Sequence, residues 1–230
     1  MLRIAYRLLA TFIILLAATL PAAADDDAGK PLFDGSSLAG WKQRGGAAKY
    51  RVENQEIVGT SVPNTGNSFL CTEKDYGDFV LELEFKVDPR LNSGVQIRSQ
   101  CFDEPKEFEK DGKKSKIPAG RVHGYQVEID PLERAWSGGI YDEGRRGWLN
   151  DLKNNDAARH AFKQNEWNKF RIVCQGDSIK TWINGVPAAD LKDGLTPRGF
   201  IALQVHGVGD TTEPLEVRWR NIRLRELPGS

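Results

Sequence analysis

The sequence predicts an all-β domain, a sandwich or jelly roll of many short antiparallel strands. Three observations lead there. From about residue 49 onward, apolar residues recur with period two. Turn residues interrupt that pattern at short intervals. Helical periodicity is nearly absent. The chain has 230 residues, 40% of them apolar, which is too apolar for disorder and suits a single domain. Its 32 basic side chains balance its 32 acidic ones, so it lacks the basic excess of a nucleic-acid binder.

The first 24 residues stand outside that domain. Arg3 and Arg7 precede the apolar run Leu8–Leu20, and Ala22, Ala23 and Ala24 follow it. The run is too short for a membrane span of roughly 20 residues, and the pattern is that of a cleaved export signal. The expectation is a signal peptide over 1–24, with a mature domain over 25–230 in the periplasm or secreted. Losing Arg3 and Arg7 leaves that domain slightly acidic, with no membrane span. Its oligomeric state is open.

The strands follow in order. Tyr50 and Val52 lead through an Asn54-Gln55 turn to Ile57-Val58, and Phe69–Thr72 is a short apolar run. Phe79–Asp88 alternates most cleanly, with Leu81, Leu83, Phe85 and Val87 on one face and Glu82, Glu84 and Lys86 on the other. Val95/Ile97 and Tyr125/Val127/Ile129 repeat the pattern. Phe170, Ile172 and Cys174 run into a Gly176-Asp177 turn, then Ile179–Ile183 and the hairpin signal Asn184-Gly185. Phe200–His206 and Leu215–Arg225 close the chain. Glu104–Lys116, charged and without apolar period, reads as a long surface loop, and Asn154–Phe162 as a short helix. Cys71, Cys101 and Cys174 form no zinc spacing and read as packing residues; whether Cys71 and Cys101 pair is open.

The faces opposite the apolar ones carry the chemistry. If the strands share a sheet, the second faces collect Glu82, Glu84, Gln96, Arg98, Gln126, Glu128, Asp130, Gln204 and His206. Carboxylates and amides suit the paired hydroxyls of a polyol. A hydrated face with structural ion pairs, such as Arg98 with Glu128, is the competing reading. His206 is a candidate acid or base, whereas His123 and His160 have no assigned role. Trp41, Trp167, Trp182 and Trp219 read as core. Trp136 and Trp148, in Gly-rich sequence around Tyr141, are candidates for stacking on a sugar face or for anchoring a loop. No nucleophile elbow, zinc-protease motif, phosphate loop or dinucleotide fingerprint is present.

Several short motifs occur in a telling order. Leu32-Phe33-Asp34-Gly35 with Leu38, Gly40 and Trp41 resembles the opening signature of the 3-keto-disaccharide hydrolase domain family. Asn92–Val95 with Ile97-Arg98, Gly124–Asp130, Gly139–Tyr141, Glu166–Asn168, Asn184-Gly185, Ile201–Gln204 with His206, and Arg220–Ile222 are similar to its later ones. The resemblance spans about residues 31–227. It implies a concanavalin A-like jelly-roll β-sandwich of two antiparallel sheets whose polar concave face meets a sugar. It also implies cleavage of glycosides already oxidised to a ketone at C3. A C3 ketone acidifies the C2 proton, so a base can form an enolate that expels the C1 substituent, and water can then add.

On that reading Glu128 or His206 is the base, and Arg98 or His206 the oxyanion partner. Glu84, Gln96, Gln126, Asp130, Tyr141, Trp148 and Gln204 would hold substrate. No cofactor is certain; a divalent metal on Glu128, Asp130 and His206 is an alternative oxyanion stabiliser. A non-catalytic carbohydrate-binding module on the same fold and a structural cell-surface domain are the competing functions.

Overall fold

The computed structural model describes residues 29–110 and 113–229, so the predicted signal peptide at 1–24 lies outside the described residues. The chain enters through β1 (Lys30–Pro31), β2 (Trp41–Gly45), β3 (Lys49–Glu53), β4 (Glu56–Thr60), β5 (Ser68–Tyr76), β6 (Phe79–Val87) and β7 (Ser93–Gln100). It continues through β8 (Lys106–Lys110), β9 (Lys113–Ile117), β10 (His123–Ile129), β11 (Ile140–Glu143), β12 (Gly147–Asn150) and the helix α1 (Asp156–Ala161). It ends with β13 (Asn168–Gln175), β14 (Ser178–Ile183), β15 (Val186–Lys192), β16 (Gly199–Val205) and β17 (Glu216–Glu226).

Two antiparallel sheets form the sandwich. One runs β15-β14-β13-β6-β17-β4-β3, with β1 beside β17, and the other runs β12-β11-β10-β7-β16-β5-β2. The period-two apolar residues meet between them: Leu81, Leu83 and Phe85 from one sheet face Val95, Tyr125, Val127 and Leu203 from the other, all buried. Each large side chain so buried contributes roughly 1.5–3 kcal/mol, which locks the register and fixes which residues face outward. The fold is the predicted all-β jelly-roll sandwich. Among the described residues, no helix is long and apolar enough to cross a membrane.

The turns follow the sequence chemistry. Asn184 and Gly185 both adopt positive φ, 49° and 83°, as a two-residue hairpin of type I′ demands. Asn54 and Gln55 do the same between β3 and β4. The helix begins after Asn155, whose side chain accepts a hydrogen bond from the Ala158 amide. Glu104–Lys116 is a correction to the expected loop: β8 and β9 pair there as an isolated ribbon. One face carries Glu107 and Glu109 opposite Lys116 and Lys114, and the other has only Phe108 and the buried Ile117 as apolar residues, too few to give the segment an apolar alternation. All three cysteines are free thiols, and burial pushes those of Cys71 and Cys174 up to about 12, consistent with packing residues.

Candidate functional site

The outer face of the seven-stranded sheet is divided in two. Toward β5 and β16 it is apolar: Phe69, Cys71, Phe200 and Ala202 pack with Val122 and Cys101 from the two ends of the β7–β10 excursion. Toward β7, β10, β11 and β12 it is polar. Register places Gln126 between Gln96 on β7 and Tyr141 on β11, and Tyr141 beside Trp148 on β12. The next row outward sets Glu128 opposite Gly94. A groove of about 510 Å³ lies over this half, lined by Gln126, Glu128, Tyr141, Glu143, Trp148 and His206 among others.

Glu128 is the chemical centre of that groove. It is only 4% exposed, yet its carboxylate lines the cavity. Asn92 Nδ2 donates to Oε1 at 2.7 Å, and Gln126 Nε2 donates to Oε2 at 2.8 Å. Gln126 in turn accepts from Gln96 Nε2 at 2.6 Å, and Gln96 accepts from the Ser99 hydroxyl at 2.6 Å. Every donor in this chain is directed toward the carboxylate, which fixes its orientation. Gly94 makes the arrangement possible, because a Cβ there would lie 2.5 Å from Gln126 Cδ. Burial raises the Glu128 carboxyl from 4.5 to about 7, with the charge of Asp130 adding to the rise and the two donated hydrogen bonds opposing it. A carboxyl poised there exchanges protons readily near neutrality.

The cation beside it is Arg134, whose Nη2 lies 3.6 Å from Glu128 Oε1. Arg134 is held three ways. Its Nε donates to Asp130 Oδ2 at 2.6 Å, and its guanidinium lies 4.9 Å from the Trp136 ring centre and 5.1 Å from that of Trp148. The two indoles meet edge to face at 4.8 Å, and Tyr141 meets Trp148 at 5.3 Å. On the same face, Arg121 pairs with the buried Glu143 at 2.6 Å, whose carboxyl burial also raises. His206 also lines the cavity; its Nδ1–H donates to the Gly207 carbonyl at 2.8 Å, which leaves Nε2 for other partners.

The model of the 3-keto-alpha-glucoside-1,2-lyase-like domain matches residues 28–225. The chain belongs to this family. No curated protein matches it. Among solved structures, a candidate glycosyl hydrolase from Parabacteroides distasonis is similar, with a TM-score of 0.56 at 19% identity over 88% of this chain and 95% of that one. The carbohydrate binding module CBM66 from Bacillus subtilis gives 0.56 at 17% identity, covering 81% of this chain and 96% of the module. A Bacillus subtilis protein of unknown function with a galectin-like fold gives 0.59 at 12% identity, covering 86% and 94%. At these identities the likeness establishes the shared fold.

Within this lyase-like domain the sequence candidates separate into three groups. Glu128, Gln126, Tyr141, Trp148 and His206 line one groove, and Gln96 supports it from below through Gln126. Asp130 and Gln204 lie close by but are turned away or covered. Asp130 is fully buried and outside the groove lining, its oxygens taken by Arg134 and the amides of Leu132 and Trp136, so it holds the Arg134 loop in place. Gln204 lies between Phe69 and Gly94 in register, fully buried, with neither amide atom hydrogen-bonded to protein.

Arg98 and Glu84 are corrections. A β-bulge, seen as a register shift against β16 and a φ of 46° at Arg98, returns Ser99 to the outer face and turns Arg98 away from it. The guanidinium is fully buried, donating to the carbonyls of Gly77 and Gly176 and to Asp78 at 2.8 Å, so it clips the sandwich together and does not line the groove. The suggested Arg98–Glu128 ion pair therefore does not form. Glu84, with Glu82, belongs to β6 of the other sheet, where Arg220 and the pair Arg171 and Lys169 neutralise them.

The set Glu128, Asp130 and His206 is not a metal site, since Asp130 is fully engaged; among the described residues no group of three His, Cys, Asp or Glu side chains is placed to hold an ion. Arg134, Arg121, Glu143, Asn92, Asn67 and Leu132 are the groove residues that alternation missed. Asn92, Arg121 and Arg134 lie just outside strands, where parity says nothing. Glu143 was reachable, standing two residues after Tyr141 on the same strand face.

Proposed function

We propose that this domain is an exported enzyme that cleaves 3-keto-glycosides by β-elimination, with Glu128 as the base. The observation that carries the reading is a carboxyl raised to about 7 inside an open polar groove, flanked by a fixed guanidinium. A 3-keto sugar seated on Tyr141 and Trp148 would present its C2 proton to Glu128. The carboxylate takes that proton, and the C2–H electrons form the C2–C3 enolate, whose oxygen Arg134 stabilises. A preorganised donor of this kind is typically worth ~3–4 kcal/mol.

The enolate then re-forms the ketone as the C1–O bond breaks and its electron pair leaves with the aglycone oxygen. His206 in its imidazolium form, with Nδ1–H still donating to the Gly207 carbonyl, gives its Nε2 proton to that oxygen and becomes the neutral ring that later takes a proton from the attacking water. The product is an unsaturated 3-keto sugar. Addition of water, hydroxyl to C1 and proton to C2, completes net hydrolysis.

Incubation with a 3-keto-glucoside tests this. Aglycone is released by the wild type and is lost in Glu128→Gln; equal release by both contradicts it. The likeness to a carbohydrate binding module and the Tyr141–Trp148 wall favour a second reading, a non-catalytic sugar-binding domain. Tight binding of an unoxidised oligosaccharide, with no turnover of any 3-keto-glycoside, selects it.

A further inference from the structure

A second chamber lies beside the groove at the His206 end. It has a volume of about 290 Å³ and shares Asn92, Leu132 and His206 with the groove, so the two adjoin across a wall that includes Glu128's own hydrogen-bond partner. Beyond that shared wall it is lined by Leu91, Val208 and Leu215 together with Arg90 and Thr211. Leu132, 48% exposed, is one of two large hydrophobic residues left exposed among the described residues. It lines both spaces.

Most side-chain polar groups of this chamber are already committed. Arg90 forks between Asp88 and Glu213, Asn92 donates to Glu128, and Nδ1 of His206 donates to the Gly207 carbonyl. A second sugar placed here would bring several hydroxyls out of water and find Thr211 and one histidine nitrogen to receive them. Hydroxyls buried without partners are strongly disfavoured, whereas an apolar group gains from the leucine and valine walls.

We propose that this chamber is the leaving-group subsite and that it selects glycosides carrying a compact apolar aglycone, aryl or cycloalkyl, over a second sugar. The inference rests on the reading of the groove as the sugar site. His206, standing in the wall common to both spaces, is then beside the bond that breaks, and Leu132 and Val208 are specificity-determining residues.

The test uses unoxidised glucosides, which lack the ketone needed for elimination, so binding is read without turnover. Calorimetry compares methyl glucoside, phenyl glucoside and a glucose disaccharide, each in both anomers. Phenyl glucoside should bind about tenfold more tightly than either of the others, the order expected from burying two or three methylene-sized groups. In Leu132→Ser, and separately in Val208→Ser, the phenyl-to-methyl affinity ratio should fall to about threefold or less. Disaccharide binding as tight as phenyl glucoside, or a phenyl-to-methyl ratio unmoved in both variants, overturns this proposal and leaves the sugar groove standing. Failure of all three glucosides to bind overturns the groove reading and this inference with it.

Discussion

Replacing Glu128 with Gln should change the stability of the protein in a way that depends on pH with a defined sign. Folding raises this carboxyl from 4.5 to about 7, so the folded state holds its proton more tightly than the unfolded chain does. Below about pH 4.5 both states are protonated and the burial costs nothing in charge. As pH climbs to about 7 the unfolded chain ionises while the folded one resists, and stability falls. Above that the folded state carries a buried charge, and the loss is complete. A tenfold change in proton affinity is about 1.4 kcal/mol, so the wild type should lose about 3 kcal/mol across this window from this group.

Glu128→Gln has no charge to bury and escapes the loss. Denaturant melts of both proteins at intervals from pH 4 to pH 8.5 isolate the effect, because the other carboxyls cancel in the difference. Variant-minus-wild-type stability should rise by about 3 kcal/mol with a midpoint between pH 4.5 and 7. A difference that stays flat with pH would refute the environment assigned to Glu128, and one that falls would reverse its sign.

Other outcomes follow from the same geometry. With Glu128 as base, kcat/KM for a 3-keto-glucoside should rise with pH through about 7, and Glu128→Gln should lose roughly 10²–10⁴ in rate, read from pH–rate profiles. Arg134→Met should lower kcat by roughly 10²–10³ with a smaller effect on KM, since its charge matters most once the oxyanion forms; a KM effect alone would make it a binding residue. Arg98→Met should cost roughly 3–5 kcal/mol in denaturant melts by stranding Asp78 and two carbonyls, with glycoside affinity unmoved. Gly94→Ala should push Gln126 off Glu128 and, by removing a donor to the carboxylate, move the pH–rate midpoint upward by about one pH unit; an unshifted profile would show that Gln126 does not tune the base.

Alternation in sequence carried most of the fold because each strand has one face in the sandwich core. It placed Gln96, Gln126 and Glu128 on one outer face, and β7, β10 and β16 are indeed adjacent. Parity failed where backbone geometry broke the period. At Arg98 a single extra residue reversed the direction of the side chain, and nothing in the local sequence other than the close approach of Gly199 signals it; a Cβ at Gly199 would meet the Ser99 carbonyl at 2.2 Å. Parity also assigns faces without assigning partners, which is why Glu84 was grouped with residues of the opposite sheet.

The groove's cations come from segments that alternation does not describe. Arg134 follows Asp130 by four residues in the β10–β11 loop, and its place is set by a carboxylate and two indoles from three points in the chain. That constellation exists only once β11 and β12 have paired beside β10. The fold was therefore written locally, while the site depended on loops whose course is decided by packing.

The most direct measurement follows the hydrogen at C2. A 3-keto-glucoside labelled with deuterium at C2 is cleaved in ordinary water, and the sugar product is examined by mass spectrometry. Proton abstraction by Glu128 predicts that the label is washed out to solvent in step with aglycone release, and that Glu128→Gln retains it in unreacted substrate. Aglycone released with the deuterium still at C2 would mean that the C1–O bond breaks without an enolate, and would contradict the account.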